Sequence, residues 1–462
     1  MRQKGSMTIA MCLMLSVLLA LLSACIRLAQ VQSGRVQVVN AVDTGLFSVF
    51  AEYDRDLLED YDLYFLDSGY GGGTLDGGRI INQMEHSMEP ALGAGLTRGR
   101  IVNCSLTGYR LASDDGGKAF RIQAARAVKN TLGSQTVESL REFLKKNSQT
   151  AADQQSQKDA GAPSMSLPET DPADMPDITP ENNPLEVIKR IRAMGILGLV
   201  LPSGAAISEK EAQVSGFTSN RSLQQGMGNL AGRKDSAGDK VLLQAYIMNH
   251  LSSYGKKIHE GVFDYQAEYL IGGKGSDREN LKKTVNRLLL LREAANTAYL
   301  YTDYEKRTKT SAAALAISTA ILLPEGSAVV EKLLLLGWAY VESLLDVRQL
   351  MLGGKVPLVK SAATWQSDIS SAGQILAMLQ DDRIHSDSGL KYEEYLQLLL
   401  FAASEKNLTF RCMDMIEQNI RQKPGRENFR IDSCLESLEM EVTVEGAGQK
   451  TWTALRSYGY DM

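Results

Sequence analysis

The chain reads as an α+β protein, predominantly helical, and three observations carry that reading. An uncharged apolar run near the N-terminus continues, without a proline, into an amphipathic helical stretch. Most later segments repeat apolar residues at three- and four-residue spacing, the period of a helix with one buried face. The C-terminal segment switches to two-residue alternation, the period of a strand. In order, the sequence predicts an N-terminal transmembrane helix continuing into a long helix, a small α+β unit, a disordered linker, and a helical C-terminal domain ending in a β-hairpin. The corresponding boundaries are 1–26 (anchor), 27–67 (long amphipathic helix), 68–146 (α+β unit), 147–184 (acidic, proline-rich linker) and 185–462 (helical domain with hairpin).

The anchor comes first. Residues 7–26 hold no charged side chain, and about twenty apolar residues span the ~30 Å hydrocarbon core. Arg2 and Lys4 precede the run, and Arg27 and Arg35 follow it. The expected arrangement is a single pass through the cell membrane, with a short N-terminus inside and the body outside. A cleaved signal peptide satisfies the same pattern. So does a lipoprotein: Leu22-Ser23-Ala24-Cys25 matches a lipobox, after which Cys25 carries lipid. Each alternative delivers the body to the exterior.

In the long helix, Leu28, Val31, Val38, Val42, Leu46, Val49, Tyr53 and Leu57 share one face. Unbroken from 27 to 66, it reaches ~60 Å. Gly34 and Gly45 each cost roughly 1 kcal/mol against Ala, so bends are allowed there. A projecting stalk and a helix folded onto its own domain both fit.

Ser68-Gly69-Tyr70-Gly71-Gly72-Gly73 reads as a flexible turn. Residues 80–92 predict a helix, and 101–111 a strand with Val102, Cys104 and Leu106 on one face. Asp114-Asp115-Gly116-Gly117 is a turn, and helices follow at 120–132 and 137–144. Residues 147–184 carry six prolines from Pro163 to Pro184 and no basic residue between Lys158 and Lys189. Such a stretch buries too little apolar surface to offset chain entropy, so it reads as a spacer. A helix at 185–194 leads to an apolar strand or buried turn at 195–202 and a glycine-rich loop at 216–232. A helix at 241–254 and a strand at 263–269 follow. Ser276-Asp277-Arg278-Glu279 has the form of a capping box opening a helix at 280–301, whose Leu288–Leu291 run requires burial. Residues 312–323 and 329–345 read as a buried helical hairpin rather than a second span, since Glu331, Lys332 and Glu342 interrupt the apolar pattern. Helices at 392–405 and 408–419 complete the block. Leu438, Met440, Val442 and Val444 alternate before Gly446-Ala447-Gly448, giving the hairpin.

The bulk properties limit function. With 462 residues the chain exceeds a typical single domain. A net charge of −5 and no dominant basic face argue against nucleic acid. Of five cysteines, Cys12 and Cys25 lie in the anchor, and Cys104, Cys412 and Cys434 show no CxxC spacing. A Cys412–Cys434 disulfide and buried free thiols both remain open. His86, His250, His259 and His385 form no HExxH or Cys/His cluster, so no metal is expected. Asp114-Asp115 lacks the alternating ligands of a calcium loop. Gly273-Lys274-Gly275-Ser276 has Gly where a P-loop needs Ser or Thr after Lys. No catalytic residue, cofactor or small-molecule substrate is identified.

Lys4-Gly5-Ser6-Met7-Thr8-Ile9 before an apolar run resembles the start of TadE/TadG-like pseudopilins of tight-adherence (Tad/Flp) pilus systems. The resemblance implies peptidase processing between Gly5 and Ser6. Members of that class carry a Glu five residues beyond the cut, where this chain has Ala10. The longer stretch through Arg35-Val36-Gln37 and Ser48-Val49-Phe50-Ala51-Glu52-Tyr53-Asp54 resembles an uncharacterised family of single-anchor proteins from Gram-positive anaerobes, often encoded beside Tad-type pilus genes. Gly272-Gly273-Lys274-Gly275-Ser276, Leu345-Asp346-Val347-Arg348 and Lys355-Val356-Pro357-Leu358-Val359-Lys360 carry the same likeness. It implies a membrane-tethered structural or assembly protein whose partners are the lipid bilayer and pilus assembly proteins. A ligand-binding surface lipoprotein is the competing expectation, and an extracytoplasmic enzyme a third.

Overall fold

The computed structural model describes residues 4–93, 98–162, 183–228, 230, 240–320, 326–385, 387–446 and 450–460, with backbone alone at 4–6 and 134. It is a predominantly helical α+β structure with a small antiparallel sheet. The chain divides into two units: Met1–Gln123 with Ser222–Ala237 and Ile420–Met462, and Ala124–Arg221 with Gly238–Asn419.

The first unit opens with α1 (Lys4–Phe50), followed by α2 (Arg55–Tyr61), β1 (Leu66–Asp67), α3 (Gly77–Gly93) and β2 (Arg100–Leu111). The chain returns to it late through β3 (Cys434–Gly446) and β4 (Lys450–Gly459). The hairpin read at the C-terminus is present, but it belongs with this unit and not with the helical domain. The reason is β3, which pairs antiparallel with β1, β2 and β4 and so completes the sheet. Leu438, Met440, Val442 and Val444 face inward, as their alternation demands. Val38, Val42, Leu46 and Val49 of α1 and Ile80, Met84, Met88 and Leu92 of α3 pack in the same core cluster. Both helix sets recur at about one turn, so each forms a single ridge.

Two expectations change here. The helix predicted over 27–67 ends at Phe50. There the Tyr460 hydroxyl donates to the Phe50 carbonyl at 2.8 Å, and the Asp54 carboxylate accepts from the Leu57 amide at 3.0 Å, capping a new helix. Val102 is exposed rather than sharing a face with Cys104 and Leu106, because a register shift between Ile101 and Asn103 turns Ile101 inward in its place.

The helix α4 (Asp114–Thr131) begins in a left-handed turn at Asp115, Gly116 and Gly117. The second unit contains α5 (Ser134–Ala160), α6 (Pro184–Ala193), α7 (Ile196–Val200), α8 (Lys240–His250), α9 (Gln266–Gly272) and α10 (Asp277–Thr302). It continues with α11 (Tyr304–Ala320), α12 (Ser327–Met351), α13 (Ile375–Met378), α14 (Tyr392–Ala402) and α15 (Glu405–Arg421). Ser276 caps α10 by accepting from the Glu279 amide, as its sequence predicts. Ile317 of α11 and Leu334, Leu335 and Trp338 of α12 join one buried cluster, so these apolar helices are core.

The linker expected over 147–184 is helical to Ala160, and α6 starts at Pro184; residues 163–182 lie outside the described residues. Polar contacts hold this part of α5. Gln149 and Gln155 donate to Asp153 and Asp159 one turn on, the buried Gln154 donates to the Leu358 carbonyl at 3.1 Å, and Lys158 pairs with Glu293. The strand expected at 263–269 is instead the entry to α9, whose seven residues are all buried. A wholly buried short helix has no exposed face, so periodicity cannot reveal it. The apolar segment at 195–202 is likewise a short helix, α7. Leu290, expected inside, is exposed.

Candidate functional site: the bare half of the N-terminal helix

Helix α1 is one continuous rod with two environments. From Met7 to Gln30 every described residue is exposed; from Val38 onward its apolar face is in the core of the first unit. The span Met7–Phe50 has a mean hydropathy of 2.7 in its most apolar window, and none of that window is buried within the protein. Met7, Met11, Leu15, Leu18 and Leu22 are all more than half exposed. Apolar side chains so arrayed gain free energy only when something other than water covers them. The polar groups in the run are already satisfied. Ser16 and Ser23 donate to the carbonyls of Leu13 and Leu19, at 2.8 Å and 2.7 Å, which is what a non-aqueous surrounding requires.

The packed half is held firmly. Gln37 donates to the Ala91 carbonyl at 2.8 Å, and Arg456 forks onto Asp43 at 2.7 Å and 2.9 Å. The acidic cluster beyond the end of α1 is met by cations of the same unit: Lys423 reaches Asp56 at 2.6 Å and Asp60 at 2.7 Å, and Arg426 binds Asp54.

The residues singled out for processing all lie on α1. Gly5 and Ser6 fall in the first turns of α1, and Cys25 is exposed farther along the same helix. The structure places the two processing positions about 30 Å apart and does not bring them together. Ala10 is exposed on the same rod.

Elsewhere, titratable groups cluster but are enclosed. Asp346 accepts from Arg292 at 3.0 Å on one oxygen and from Lys360 at 2.6 Å on the other, and all three are buried. Burial opposes the charge of Asp346; Arg292 and Lys360 outweigh it and hold the carboxyl below the usual range. Glu342 takes the second contact of Lys360 at 2.7 Å, and Tyr395 and Asn296 complete the shell. Burial pushes Glu268 up to about 7, although the Tyr254 amide and the Tyr392 hydroxyl both donate to it. Asp414, bonded by Ser219 and Tyr269, is pushed by burial up to about 6. Such shifts are typical of functional sites, but these carboxylates are buried.

The Asp114 carboxylate accepts from the Leu111 and Gly226 amides, a turn-fixing role. Among the described residues, no three His, Cys, Asp or Glu side chains are grouped to hold a metal. Cys104, Cys412 and Cys434 are free thiols.

Fold and helix define a predominantly helical α+β protein with one N-terminal helix long and apolar enough to cross a membrane. Residues 177–446 match the model of a family of unknown function (DUF5702), and the chain belongs to that family. No curated protein and no solved structure matches it.

Proposed function

We propose that this is a membrane-tethered, extracytoplasmic structural or assembly protein, a pseudopilin-like accessory component of a Tad/Flp-type pilus system, with no catalytic role. One observation carries the reading: a single helix is bare and apolar in its first half and packed with an antiparallel sheet in its second. A bilayer covers the bare half and holds the body at the membrane surface, beside the assembly proteins. The Gly5-Ser6 start and the exposure of every residue from Met7 to Gln30 support that placement. Ala10 supports an accessory rather than a fibre-forming subunit, since it has no carboxylate to neutralise a neighbour's N-terminal amine in an apolar core. Nucleic acid is not among the proposed partners.

The test is a photo-crosslinking residue at Leu18 in living cells. Adducts with pilus assembly proteins are expected; adducts with lipid alone contradict the pilus role and leave only the anchor. The exposed Cys25 within Leu22-Ser23-Ala24-Cys25 favours a second reading, a surface lipoprotein. Acyl-lipid labelling lost in Cys25→Ala and unchanged in Gly5→Ala supports the lipoprotein and rules out processing at Gly5.

A further inference from the structure

In the second unit, residues of α9, α10, α14 and α15 line an open pocket of about 510 Å³. Lys283 and Arg287 of α10 and Arg411 of α15 are its three cations, with Ser404 and Asn407 beside them, and no lining residue is a carboxylate. Lys283 donates to the Gly272 carbonyl at 2.8 Å, and Arg411 Nη1 donates to the Leu270 carbonyl at 2.8 Å. These are carbonyls at the end of α9 that a helix leaves without an internal partner.

Capping explains one group of each side chain and stops there. Arg287 is half-buried and makes no ion pair or hydrogen bond with any described residue. It sits one turn from Lys283, a like-charged pairing that disfavours the helix. Gly273 has φ +65°, and a Cβ there would fall 2.4 Å from Arg411 Nη2, so the glycine loop makes room for the guanidinium. Burial, then the charges of Arg287, Lys274 and Arg411, hold Lys283 below the ordinary lysine value. Among the described residues no carboxylate pairs with the cluster.

We propose that Lys283, Arg287 and Arg411 bind the phosphoryl group of a phosphate ester. Two guanidinium forks and an ammonium suit a phosphate dianion, whereas a lone carboxylate leaves two charges unmatched. Leu270, Leu399 and the exposed Leu290 give the pocket an apolar wall for the rest of the ester. This chemistry is shared by a soluble phosphate ester and a phospholipid headgroup.

The test is calorimetric titration of the full chain in neutral detergent with inorganic pyrophosphate and, separately, with monomeric dihexanoyl phosphatidic acid. Binding that weakens with salt is expected. Arg287→Gln, which removes no internal hydrogen bond or ion pair, lowers the affinity about tenfold or more while leaving the unfolding midpoint unchanged. Arg411→Lys, which retains charge but loses the fork, also weakens binding. Tighter binding of the phosphatidate assigns the lipid source, and tighter binding of pyrophosphate the soluble one; both uphold the site. Binding of neither probe at about 0.1 M salt, or binding indifferent to Arg287→Gln, overturns it.

Discussion

Gly34 of α1 rests on the indole of Trp452 in β4, so closely that a Cβ at position 34 would lie 2.5 Å from the ring. This contact lies at the passage from the bare half of the helix to the packed half. Read from sequence, Gly34 permits a bend; in the structure α1 continues through it unbroken, and the glycine serves close approach. Gly34→Leu must displace the indole. It is expected to lower stability by about 1–3 kcal/mol in urea titrations. Gly195→Ala, where no atom lies within 4 Å of the added carbon, is the matched control and is expected to change little.

Asp346 joins Arg292 and Lys360 in one enclosed network. Removing the carboxylate leaves two buried cations with too little counter-charge. Asp346→Asn is therefore expected to cost about 3–5 kcal/mol. The folded carboxyl titrates below its ordinary 3.8, so its stabilisation is complete above that pH and fades as pH falls below it. Chemical denaturation of the variant at neutral pH checks the first point, and acid unfolding of the parent the second.

Glu268 gives the opposite pH dependence. Its carboxyl titrates at 4.5 when exposed and at about 7 in the fold. Between those values the folded state holds the extra proton, so stability falls as pH rises and levels off above about 7. Asp414 acts in the same direction but finishes near 6. The slope of unfolding free energy between pH 6 and 7 therefore belongs mainly to Glu268. It is expected to flatten in Glu268→Gln, and a slope that persists unchanged contradicts the assignment.

Orientation has its own test. Ser156 is exposed on α5, so a thiol there is open to reagent. Beyond the anchor the native background is low: Cys412 and Cys434 are buried, and burial pushes half-buried Cys104 up to about 12, which leaves little reactive thiolate; the exposed Cys12 and Cys25 of the anchor are replaced by Ser in the parent chain. A membrane-impermeant maleimide applied to intact cells is expected to label Ser156→Cys. Labelling only after lysis reverses the proposed topology.

Much of this fold is legible in the sequence wherever burial is one-sided. The alternation of Leu438, Met440, Val442 and Val444 marks β3, and Ser276 marks the start of α10, because each pattern reports a local physical need. The reading fails where that contrast vanishes. Helix α9 is buried all round, and α5 beyond 147 is held by amide–carboxylate pairs and contacts to distant residues such as Leu358. The hairpin's membership of the first unit depends on β3 meeting β2, a long-range pairing that no local pattern encodes. The basic pocket is half legible: Lys283 and Arg287 share a face of α10, but Arg411 arrives on α15, and only the glycine loop hints that something must fit against it.

In the proposed function, α1 up to Gln30 serves the surroundings and not the fold. The decisive measurement compares the full chain with a chain beginning at Val31, by carbonate extraction of membranes and by thermal unfolding. The full chain is expected to stay in the membrane pellet, and the shortened chain to be soluble and to unfold at the midpoint the full chain shows in detergent. A shortened chain that remains in the pellet, or that has lost its cooperative unfolding, contradicts that role.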